Sequence, residues 1–168
     1  MYWLMAGMWL MSGCGYERLQ KRLEDSEFDH WYALRVFMSD TEKKTYLKLK
    51  TQAERDEWLK STRKLWDTFY KYEPHIRELI VAGDVQKGWT EEMLYMSWGS
   101  PWDRQKVVGR NAVRSEKLIY RFEAHSDGSV LLWEPNSKTA YKANRLFVRI
   151  VILDDSKVAS INEKNASW

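Results

Sequence analysis

The chain has 168 residues, 44% apolar and 30% charged, which suits one folded domain with flanking segments and argues against disorder. Its 27 Lys/Arg and 24 Asp/Glu leave a net charge of +3, too slight a balance for a nucleic-acid surface. The single cysteine excludes an intrachain disulfide and a cysteine-based metal cluster, and no 18-residue apolar run is present to span a bilayer as a conventional helix.

The first segment, "MYWLMAGMWLMSGC", carries no charge, whereas charges are dense from Glu17 onward. Such a break marks a processing boundary. The stretch Met11-Ser12-Gly13-Cys14 resembles the box of a bacterial lipoprotein signal, an aliphatic residue and two small ones ahead of a cysteine. That resemblance implies a signal segment over 1–13, with Cys14 acylated and holding the protein to a membrane. Several acyl chains anchor a protein essentially permanently, where one does so only marginally. Gly15 after the cysteine implies forwarding to the outer membrane, facing the periplasm. The alternative is a buried apolar N-terminus with Cys14 as a core thiol, the start of a soluble adaptor.

From residue 14 to 83 the pattern is helical. In "QAERDEWLKSTRKLWDTFYKY", Trp58, Leu59, Thr62, Leu65, Trp66, Phe69 and Tyr70 recur at the spacing of one helix face. Those tryptophans are expected in the core. Pro74 ends or bends this helix, and "HIRELIVAG" is a further helical stretch stopped by Gly83.

The next segment, "GDVQKGWTEEMLYMSWGSPWDR", predicts a capped short helix with an enforced stop. Thr90 caps, Glu91 and Glu92 sit at the positive helix end, and Leu94 and Trp98, four apart, face a sheet together. Gly99 permits a tight turn and Pro101 prevents continuation. Trp89, Trp102 and Arg104 combine aromatic and basic character there, and are the candidate partner-binding residues. The basic stretch 104–117 reads as a solvated loop or strand edge.

Beyond it the period changes. "SEKLIYRFE" alternates, with Leu118, Tyr120 and Phe122 on one side; "DGSVLLWEP" is a turn and a short strand; "NRLFVRIVILDDSKVASINE" is a long strand, a turn near Asp154-Asp155-Ser156 and a final strand. The expected fold is α+β, with N-terminal helices packed on a three- to four-stranded antiparallel sheet.

"GWTEEMLYMSWGSP" resembles the signature of the BamE-like outer-membrane lipoproteins. Gly88, Thr90, Gly99 and Pro101 match at the same spacing, Leu94 and Trp98 stand at apolar positions, and Trp89 replaces a methionine. The likeness covers residues 84–162, and the domain expectation is a BamE-like helix and sheet over 84–168. It implies a non-enzymatic subunit of an outer-membrane or other envelope complex, supporting protein assembly. A fainter likeness to GWxTD-domain proteins covers residues 47–103, through the Glu-Arg-Asp helix and the later Gly-Trp and Gly-x-Pro. The long helical region ahead of the motif departs from the BamE-like pattern. It suits an accessory lipoprotein subunit of a transport, secretion or motility machine.

No catalytic constellation emerges. His30, His75 and His125 stand in no metal-ligand spacing, His125 near Asp127 reads as turn chemistry, and Asp154-Asp155 belongs to a strand turn. No cofactor, metal or nucleic-acid partner is expected.

Overall fold

A computed structural model describes residues 22–133 and 144–167; Cys14 and the 1–13 segment lie outside the described residues. The chain is α+β, and its described residues divide into a helical unit ending at Asp84 and a sheet unit starting at Val85.

The helical unit contains α1 (Asp25–Leu34), a 3-10 turn (Arg35–Phe37), α2 (Asp40–Lys48), α3 (Gln52–Ser61), α4 (Arg63–Tyr70) and α5 (Pro74–Ala82). Helices this short are marginal alone, so local end signals and burial must hold them. Capping boxes open three of them: Glu24 with Glu27, Ser39 with Glu42, and Thr51 with Glu54. Pro74 begins α5, and Gly83, with φ +76, closes it.

The long helix expected from Gln52 to Tyr72 is two helices, broken at Thr62 (φ −93, ψ 56). Ser61 and Thr62 both turn their hydroxyls onto the Trp58 carbonyl, at 2.7 and 3.0 Å, an acceptor that also takes Thr62 N at 3.0 Å. Trp31, Leu34, Tyr46, Leu47, Leu59, Leu65, Phe69 and Ile80 form the core, Trp31 stacked on Tyr46 at 5.9 Å between centroids. Trp66 stacks on Tyr70, whose hydroxyl meets His30 Nε2. Burial holds the His30 imidazole below its ordinary pKa.

The sheet unit has α6 (Glu91–Trp98) and strands β1 (Asp103–Val107), β2 (Ser115–Ala124), β3 (Val130–Leu132), β4 (Arg145–Asp154) and β5 (Lys157–Asn165). All strand pairs are antiparallel, in the order β1, β2, β4, β5, with β3 also on β2. The sheet is open and has five strands, not three or four. Ten-residue β2 is long enough to hold β1 along Ser115–Ile119 and β3 along Phe122–Ala124 of the same edge. The charged "DRQKV" lacks the alternation that signals a strand, and pairing with β2 makes it one. Asp155 and Ser156, at φ +47 and +62, link β4 to β5 in the left-handed region that a two-residue hairpin demands.

One sheet face carries the core: Leu118, Tyr120, Phe122, Leu132, Phe147, Val151, Leu153 and Val158. The helix on this face is α6, through Trp98 edge-on to Tyr120 and Phe122 at 5.2 and 5.3 Å.

Candidate interaction site

The motif segment is stitched to the sheet before its helix begins. Gly88 N donates to the Val158 carbonyl at 2.7 Å, Val158 N to Trp89 O at 2.8 Å, and Glu91 N to Ser156 O at 2.9 Å. Gly88 has φ +89, a conformation that side chains disfavour. Thr90 Oγ1 then accepts from Met93 N, capping α6. Leu94 and Trp98 are 0% and 2% exposed. Gly99 ends the helix at φ +72, ψ −156, and its carbonyl accepts from the Tyr120 hydroxyl at 3.2 Å. The chain passes Pro101, and Trp102 N donates to Ile119 O at 2.8 Å as β1 begins.

Gly88, Thr90, Leu94, Trp98, Gly99 and Pro101 thus lie along one continuous helix and turn. Trp89, a candidate contact residue, is only 6% exposed and turned into the core. Trp102 is 37% exposed; the Arg121 guanidinium covers its ring at 4.0 Å, and Trp133 meets it at 6.4 Å.

Arg104 is not free for a partner. It reaches Glu91 (2.7 Å) and the Tyr95 hydroxyl (2.8 Å) on α6, and takes Glu116 on β2 bidentately (2.9 and 2.5 Å). Arg114 adds a bond of 3.0 Å to Glu116. Hydrogen bonds from Arg104, and then Arg114, outweigh burial and pull Glu116 down to about 2, while burial pushes Tyr95 up. Both Arg104 and Glu116 therefore stay ionised near neutral pH, so this network clamps α6 to the sheet rather than moving protons.

A second polar group was not visible as a unit in the sequence. Buried Glu123 accepts from the Trp133 indole at 3.3 Å and pairs with His125 Nε2 at 2.7 Å. The signal available was the two-residue spacing of Glu123, near the end of β2, and His125, just past it. Asp127, near His125 in the sequence, accepts from Ser129 N and Oγ at 2.8 and 2.6 Å, the turn chemistry expected of it. Among the described residues no group of three or more His, Cys, Asp or Glu is arranged to hold a metal ion, and no described helix is long and apolar enough to cross a membrane.

No family model, curated protein or solved structure matches this chain.

Proposed function

We propose that the protein is a non-enzymatic, lipid-anchored subunit of the bacterial cell envelope. Acylated Cys14 would hold it to the outer membrane, and its work would be binding or scaffolding within a protein assembly, outer-membrane protein assembly first among these. The observation that carries the reading is the box Met11-Ser12-Gly13-Cys14 between an uncharged segment and a charge-dense body. The motif segment supports its second half. Gly88, Thr90, Gly99 and Arg104 serve packing and capping, and Trp102, 37% exposed, is the candidate contact residue that the segment leaves to a partner.

A second reading, an accessory subunit of another envelope machine, draws on the separate helical unit that precedes the motif. Intact mass of the N-terminal peptide from native membranes tests the anchor. A peptide beginning at Cys14 with two or three acyl chains is expected, and Cys14→Ala should move the protein to the soluble fraction. An unmodified Cys14 thiol in membrane-purified protein sinks the anchor. Co-purification from membranes then separates the two assembly readings.

A further inference from the structure

Strand β4 runs Leu146-Phe147-Val148-Arg149-Ile150-Val151-Ile152-Leu153, apolar at seven of eight positions. A near-continuous apolar run is the composition of a strand buried on both faces, whereas a half-solvated antiparallel strand alternates. Yet only one side is fully buried: Phe147, Val151 and Leu153 are at most 1% exposed, on the face that α6 covers. Leu146, Val148, Ile150 and Ile152 point the other way and stay partly exposed, with Ile119 of β2 directly opposite Ile150. Arg121, over Trp102, is on this same outer face, beside Val148.

Charge says what would cover it. Lys117 pairs in register with Ile152, and Lys164 with Val148, so a lysine flanks the aliphatic column on either side. Neither has an ion-pair partner among the described residues. Among the described residues the acids of this face are engaged: Asp103 by Arg104 N and Gln105, Glu123 by His125 and Trp133, Asp154 by Arg110 and Ser115. The column from Leu146 to Ile152 is about 20 Å long, the length of roughly three to four helical turns.

We propose that this outer sheet face docks an amphipathic helix of a partner protein, its aliphatic stripe flanked by Asp and Glu. The proposal deepens the assembly reading above and rests on its protein partner, not on the lipid anchor. A helix ridge reaches between the lysines to the short Val and Ile side chains, and its acids answer both lysines at once. A second copy would bring lysine against lysine. The 1–13 segment has no charge with which to answer them.

A photo-crosslinking amino acid placed at Ile150, and separately at Trp102, in the full chain tests this in the cells that make it. From Ile150 the expected product is a partner peptide with apolar residues three and four apart, flanked by more acids than bases. Lys117→Glu with Lys164→Glu should cut that yield about tenfold, equivalent to about 1.4 kcal/mol, with an unchanged circular dichroism spectrum. Crosslinks from Ile150 to lipid, to this chain's own segments, to a second copy or to a basic peptide overturn the proposal. So does a protein captured from Trp102 but not Ile150, which leaves the assembly reading standing. No protein from either position overturns both.

Discussion

In the helical unit Glu27 and Arg55 form an ion pair with side chains 0% and 6% exposed, 2.5 Å apart, whereas in the sheet unit Arg104 gathers its partners with a third of its own side chain exposed. The buried pair is closed on every side: Arg55 also donates to the Leu49 carbonyl at 2.7 Å, and Glu27 accepts from Glu24 N at 2.9 Å. Burial pulls the Glu27 carboxyl up, but these bonds outweigh it and hold it below its ordinary value. The difference teaches where charge is structural. A buried pair adds little over a well-packed apolar one, yet leaves an intolerable charge when halved; a rim cluster degrades gradually.

The sharpest break of that comparison is Arg55→Met. Stranding Glu27 should cost about 3–5 kcal/mol and remove amide-exchange protection from α1 to α5, while strands β2 and β4 keep theirs. Adding Glu27→Leu should restore most of it. A single variant costing under about 1 kcal/mol would mean that water reaches the pair.

Leu94→Ala in the sheet unit should cost about 2–5 kcal/mol, read by urea denaturation, with the loss of protection confined to the other side of the comparison. Arg104→Met comes next, at about 1.5–3 kcal/mol, because Arg114 still answers Glu116. Its pH signature distinguishes it. Glu116 sits at about 2 in the folded protein against an ordinary 4.5, so its stabilisation is fully present above about 4.5 and is lost as pH falls towards 2. The gap between wild type and variant should therefore be widest near neutral pH and close by pH 2. A gap that is flat with pH would remove the ionic explanation.

Gly99→Ala should cost about 1–3 kcal/mol, since φ +72 with ψ −156 is a region that only glycine occupies freely. The smallest effect is Thr90→Ala, about 1 kcal/mol for a lost cap, visible as faster amide exchange at the first turn of α6.

Much of the fold was legible because it rests on local rules. Thr90, Gly99 and Pro101 announce a helix with a beginning and an end, and alternation put Leu118, Tyr120 and Phe122 on one buried face. The Asp155-Ser156 turn followed from turn chemistry. The break at Thr62 is not legible in the sequence, because the hydrophobic spacing runs through it unbroken. The basic stretch from Arg104 reads equally as a loop or a strand edge, and the edge that β2 offers decides for a strand. Of the candidate contact residues, Trp102 is partly exposed, but Trp89 is inside and Arg104 is committed.

The sequence by itself determined the α+β class, the capped motif helix and the long final hairpin, because caps, turns and periodicity act over a few residues. Only the tertiary structure decided that Arg55 meets Glu27 and Arg104 meets Glu116. It alone decided that β1 and β3 share one edge, and that half of an apolar strand stays partly exposed. Those outcomes join residues far apart in the chain, and which charge finds which partner is settled by the packing that brings them within hydrogen-bond reach.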